Sequence, residues 1–66
     1  MRLFQDFHSA SRARVIAHLV ASGVAYADAA IITDYAKDRG PHVIPGCPDR
    51  AVWWFGDHWR ITAAPR

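Results

Sequence analysis

Apolar residues change their spacing along this chain, and the change separates helix from strand. Between Ser9 and Arg39 they recur every three or four residues, the spacing of a helix with one buried side. The first such pattern opens at Ser9 or Ser11, both good N-caps, and closes near Ser22. Its apolar stripe is Ala13, Ile16, Leu19 and Val20, with Arg14 and His18 one turn apart on the opposite side and Arg12 nearby. Gly23 suits the left-handed position after the helix, from which Val24 folds back onto Leu19. A second pattern runs from about Ala25 to Arg39, with Val24, Ala27, Ile31 and Tyr35 as its stripe and Ile32 widening it. Lys37 and Arg39 favour the helix dipole in its last turn, and Gly40-Pro41 stops it. Three or four residues separate the two patterns, so the helices are expected as neighbours in an αα-hairpin.

From Ala51 to Thr62 the spacing becomes that of strands. The stretch AVWWFGDHWRIT holds all three tryptophans of the chain. Gly56-Asp57 at its centre signals a two-residue hairpin turn of the II′ or I′ kind. That turn pairs Phe55 with His58, Trp54 with Trp59, Trp53 with Arg60, Val52 with Ile61 and Ala51 with Thr62. Opposed residues share a face, and faces alternate along each strand. Val52, Trp54, Trp59 and Ile61 then form a wholly apolar face that reads as core. Ala51, Trp53, Phe55, His58, Arg60 and Thr62 form the other, aromatic but with polar tips.

The remaining segments are less regular. Met1 to His8 reads either as a helical lead-in, with Phe4 and Phe7 one turn apart, or as an edge strand with Leu3 and Phe7 on one side. In both cases the phenylalanines cover an end of the core. Three prolines and a glycine between Pro41 and Arg50 exclude regular helix, although His42-Val43-Ile44 suits a short edge strand. Gly46 to Asp49 reads as the turn into the aromatic hairpin, and Ala63 to Arg66 as a loose tail. The expected fold is α+β: a two-helix hairpin packed on a small antiparallel β-sheet, built on the C-terminal aromatic β-hairpin with room for a third short strand. Its core joins Val52, Trp54, Trp59 and Ile61 to Ile16, Leu19, Val20, Ile31 and Tyr35, and truncation of Trp54 is expected to unfold it.

Composition narrows the class. Sixty-six residues make one domain, 1–66, and a core this small depends on large side chains. A single cysteine excludes an internal disulfide. No apolar run approaches a bilayer span, and no apolar stretch of signal-peptide type follows Arg2, so a soluble, cytoplasmic protein without a membrane partner is expected. The formal charge is +2, with seven Arg and one Lys against six Asp. That balance permits contact with nucleic acid without demanding it, and argues against a polyanionic mimic of DNA.

Chemical motifs are sparse. The helix–Gly–helix arrangement invites a winged helix-turn-helix reading, with the C-terminal hairpin as wing. Leu19 is large for the tight packing point before the turn, and Asp28 would meet phosphates at the start of the recognition helix. A plain αα-hairpin fits better. His18, His42, Cys47 and His58 are chemically suited to zinc, but their spacing matches no metal-ligand pattern. Cys47 between Gly46 and Pro48 has no helix N-terminus to lower its pKa as a nucleophile. Asp57-His58 at a hairpin tip reads as turn chemistry. No catalytic residue, cofactor or metal ligand is assigned, and a non-enzyme is expected.

The residues suited to a contact are Trp53, Phe55, His58 and Arg60 on the outer hairpin face, with Arg12 and Arg14 as a second patch. Aromatic platforms beside positive charge bind single strands, and Trp, Phe and Arg are enriched in protein interface hot spots. The alternative is that one of these aromatics is covered by the Pro41–Arg50 segment or an edge strand. In size and in its Ala- and Arg-rich composition the chain resembles the small accessory proteins of phages and mobile elements, of which anti-CRISPR inhibitors are the best-known group. Those families share no motif, so the resemblance carries over no residue. It implies a non-enzymatic inhibitor that docks on a bacterial protein or nucleoprotein complex and occludes a functional site. The alternative is a DNA- or RNA-binding regulator of winged-helix or aromatic-platform type. A monomer suits the first reading and a homodimer the palindromic form of the second.

Overall fold

A computed structural model describes residues 6–65. In chain order the elements are β1 (Phe7–Ser9), α1 (Arg12–Ala21), α2 (Tyr26–Asp38), β2 (His42–Ile44), β3 (Cys47–Trp54) and β4 (Trp59–Ala63). The strands form one antiparallel sheet in the order β1-β4-β3-β2. Both helices pack on one side of it, α1 beside β1 and α2 across β2, β3 and β4. The expected α+β class and αα-hairpin are present, and the sheet gains two short strands around the aromatic hairpin. His42–Ile44 is one edge. Phe7–Ser9 is the other, so the strand reading of the N-terminal segment holds for Phe7 and His8. Leu3 and Phe4 lie outside the described residues.

Local chemistry sets the helix ends. Ser11 caps α1, its Oγ accepting from the Arg14 N–H at 3.3 Å, while Ser9 Oγ accepts from the Ser11 N–H at 3.0 Å. At the other end Gly23 takes φ +104°, a left-handed conformation that costs a residue with a Cβ. The Gly23 N–H then reaches the Val20 carbonyl and the Val24 N–H the Leu19 carbonyl, both at 3.0 Å. This is a Schellman ending, and it places Val24 in the core as its spacing implied. Arg12, at the start of α1, bonds Asp34 in the third turn of α2. The helices therefore run antiparallel side by side.

The hairpin pairs as its turn predicts. Trp54 faces Trp59, Trp53 faces Arg60, Val52 faces Ile61 and Ala51 faces Thr62, and the Phe55 N–H donates to the His58 carbonyl at 2.9 Å. Gly56 is left-handed while Asp57 is not, which selects the II′ turn. The second connection, Pro45-Gly46, joins Ile44 to Cys47 with Gly46 at φ +81°, the residue order of a type II turn. Strand β3 thus begins at Cys47, earlier than the expected turn over Gly46–Asp49. It carries Pro48-Asp49-Arg50 as an irregularity opposite the Val43–Ile44 step. Ala63 belongs to β4, and the Ala64 N–H donates to the Asp49 carbonyl at 2.9 Å, so the tail is tied down through Ala64.

Which helix faces are buried departs from expectation. In α1 the core side is Val15, Ile16 and Leu19, with Ala13 and Val20 outside. His18, expected on the solvent side, instead stacks on Phe7 with ring centroids 4.1 Å apart. In α2 the core side is Ala29, Ile32, Thr33 and Ala36, whereas Ile31 is 61% exposed and Ala27 and Tyr35 are also outside. Small side chains at 29, 33 and 36 let α2 approach the sheet where Trp59 projects. Ile31 and Tyr35 would hold it too far off. The Thr33 hydroxyl is satisfied by the Ala29 carbonyl at 2.7 Å, and the Thr33 carbonyl accepts the Trp59 indole N–H at 2.8 Å.

Trp59 is only 4% exposed, but Trp54 is half-buried at the rim under the Lys37 ammonium, 5.1 Å from its ring. The expected unfolding residue is therefore corrected from Trp54 to Trp59. Trp59→Ala removes about 3–5 kcal/mol, comparable with the stability of a domain this size, and abolishes the cooperative thermal melt. Trp54→Ala costs roughly 1–2 kcal/mol and keeps it. Circular dichroism melts of the two variants check the order.

Candidate docking surface

Alternation sends every second residue of the sheet away from the helices. Phe7, Ile61 and Val52 form one inner row, and Trp59 with Trp54 another. The residues between them form rows on the open side. His8, Arg60 and Trp53 align across β1, β4 and β3. Thr62, Ala51 and Val43 align across β4, β3 and β2. Phe55 and His58 flank the hairpin turn at one end.

These side chains are organised. The Trp53 and Phe55 rings lie nearly parallel, 14° apart with centroids separated by 6.2 Å. Phe55 also stacks on His58 at 5.6 Å, and His58 meets His8 edge-on at 6.2 Å. The Trp53 indole N–H donates to the Ala63 carbonyl at 3.0 Å, which fixes its plane. His58 Nδ1–H donates to Asp57 at 2.6 Å. Ala51 is buried although it belongs to this side, a small floor beneath larger neighbours. Phe55 is 52% exposed, Val43 42%, and Arg60 is exposed. Among the described residues no element covers this side, so the Pro41–Arg50 segment lies at the sheet edge as β2 and the start of β3 rather than over Phe55.

Of the residues selected from the sequence, Trp53, Phe55, His58 and Arg60 come together. Arg12 and Arg14 do not join them, since both lie on the helical layer. Arg12 makes a two-pronged bond to Asp34, at 2.8 and 2.9 Å. The hydrogen bond and charge of Asp34 raise the guanidinium pKa, and the hydrogen bond from Arg12 lowers that of Asp34. Arg12 therefore acts as a clip between helices, and only Arg14 remains of the second patch. His8 was missed. Its place is fixed by the β1–β4 register, and a three-residue strand has too little periodicity to reveal it.

The helical layer has a surface feature of its own. Ala13, Ile16, Ala17, Val20 and Tyr26 line an open groove of about 460 Å³ with Arg12 at its rim. No convergent polar group marks it as a chemical site. Elsewhere, partial burial and then the hydrogen bond to Asp49 raise the Cys47 thiol pKa, the wrong direction for a nucleophile. Among the described residues no three His, Cys, Asp or Glu side chains gather as metal ligands, and no helix is long and apolar enough to cross a membrane.

No protein family, no curated protein and no solved structure matches this chain.

His18 supports the β1 edge of the surface from behind through its stack on Phe7. Its Nε2 is buried without a hydrogen-bond partner among the described residues, and burial lowers its pKa. The unfolded chain therefore takes up the proton first. Stability from the neutral ring is full above the ordinary histidine value of 6.5 and falls as the pH drops below it toward the folded-state pKa. The melting temperature of the wild type should decline between about pH 7 and pH 5, and His18→Phe, which keeps the stack, should remove part of that slope. Equal slopes in both proteins would contradict this role for His18.

Proposed function

We propose that this protein is a non-enzymatic binding protein that acts by docking its open sheet face on a macromolecular partner. The observation that carries the reading is the cluster of Trp53, Phe55, His58 and Arg60, with His8 added, on the side of the sheet opposite both helices, which no element covers among the described residues. Phe55 is 52% exposed, with Trp53 half-buried beside it; an apolar patch of this kind is suited to contact, and Trp and Arg dominate the energetics of interfaces. Their arrangement is pre-organised by the Trp53 bond to Ala63, so little side-chain entropy is lost on contact.

A domain of this size and style suits an inhibitor of the phage or mobile-element kind, which occludes a functional site on a bacterial protein or nucleoprotein complex in the cytoplasm. The second reading, a nucleic-acid-binding regulator, is favoured only in its aromatic-platform form. In the winged helix-turn-helix form Asp28 would lie against phosphates, and the antiparallel helices joined by Arg12–Asp34 do not splay as a reading head requires.

The test compares wild type with Phe55→Ser/Arg60→Glu, both exposed positions, as baits in a bacterial lysate. The double variant should keep its melting temperature within a few degrees, as surface changes do, and lose the complex that the wild type captures. Retention of the same complex by the folded double variant would place the docking surface elsewhere.

A further inference from the structure

The chemistry of the open face defines what it takes, on the reading that this face is the docking surface. We propose that its ligand is single-stranded nucleic acid, with bases stacked on Phe55 and Trp53 and a backbone phosphate at Arg60. Charge complementarity is the first argument. Arg60 has no carboxylate partner among the described residues, in contrast to Arg12, held by Asp34, and Arg50, held by Asp6. Asp57, three residues before Arg60, is bonded to His58, and Asp6, just before β1, to Arg50. Arg60 is thus free to meet an anion, flanked in register by His8 and Trp53.

Ring geometry is the second argument. Phe55 and Trp53 stand two residues apart on one side of the hairpin with planes 14° apart, and Phe55 is 52% exposed, so a planar group stacked on the open part of Phe55 lies nearly parallel to the Trp53 indole. Such stacking accepts any base. The indole N–H, the group of this pair able to read a base edge, is already committed to the Ala63 carbonyl. Binding is therefore tolerant of sequence. A duplex keeps its bases stacked on each other and offers this face only phosphates; the one basic helix start, Arg12-Ala13-Arg14 of α1, lies on the helical layer and has Arg12 held by Asp34. An acidic protein segment would satisfy Arg60 but leave the parallel rings without planar partners.

The experiment measures anisotropy of fluorescein-labelled fifteen-nucleotide oligothymidine and oligouridine, and of a duplex of equal length, between about 50 and 200 mM salt. The wild type should bind both single strands with quenching of tryptophan fluorescence, and the duplex more weakly. Phe55→Ala should weaken single-strand binding about tenfold. Arg60→Gln should weaken it and flatten the plot of log affinity against log salt by about 0.7. Absence of single-strand binding at the lowest salt overturns the proposal. So does equal binding of duplex and single strand with no effect of Phe55→Ala, which is nonspecific attraction of a basic protein. If oligonucleotides are not bound while Phe55→Ser/Arg60→Glu still loses its captured complex, the ligand is a protein and the docking surface stands. If that variant keeps its complex, the docking surface itself is misassigned.

Discussion

The indole of Trp59 is the contact on which the two layers of this protein depend. It projects from β4 into the space beneath α2 and donates its N–H to the Thr33 carbonyl at 2.8 Å. A ring this large, buried in a chain of 66 residues, supplies a major part of the apolar area available for folding. Its hydrogen bond also fixes where along the sheet α2 must lie, because an unpaired indole N–H in this position would cost about 1–3 kcal/mol. Around it the other constraints fall into place. Ala29, Thr33 and Ala36 give α2 the short side chains that a close approach requires, Leu19 and Val15 complete the floor, and the Schellman turn at Gly23 brings α1 alongside.

Committing one side of the sheet to the helices leaves the other side without a covering element among the described residues. Its outward positions range from the exposed Phe55 and Arg60 to the half-buried Trp53 and the buried Ala51. A sheet selected only for stability would place threonine and charged residues there. This one places Trp53, Phe55, His58 and His8 around Arg60. The core rests on Trp59, Ile61 and Val52, which leaves the outer aromatic residues for the recognition role proposed above. Arg12 illustrates the opposite use of a charged side chain, since it is spent on holding the two helices together.

Much of this was legible from the residues. Gly56-Asp57 fixes the hairpin register, and the register alone separates Val52, Trp54, Trp59 and Ile61 from Trp53, Phe55, His58 and Arg60. Helix ends were readable because Ser11, Gly23 and Gly40-Pro41 each have one strong backbone role. The buried face of α2 was not readable, because two stripes compete on it. Ala27, Ile31 and Tyr35 are the more hydrophobic set by size, but the sheet presents a tryptophan opposite the helix and selects the smaller set of Ala29, Ile32, Thr33 and Ala36. Periodicity reports that a stripe exists; the volume of the partner decides which stripe is used. The same limit concealed His8, whose position depends on a pairing between residues more than fifty apart in sequence.

In the isolated protein one side of this sheet is sealed by the helices and the other is open. Attenuation of NMR signals by a soluble paramagnetic agent at low protein concentration measures that directly. Strong attenuation of the Phe55 ring and Val43 methyl signals is expected, with the Trp59 indole and Ile61 methyl signals preserved. Preservation of Phe55 and Val43 to the level of Ile61 would contradict it, since the outer face would then already be covered and unavailable to a partner.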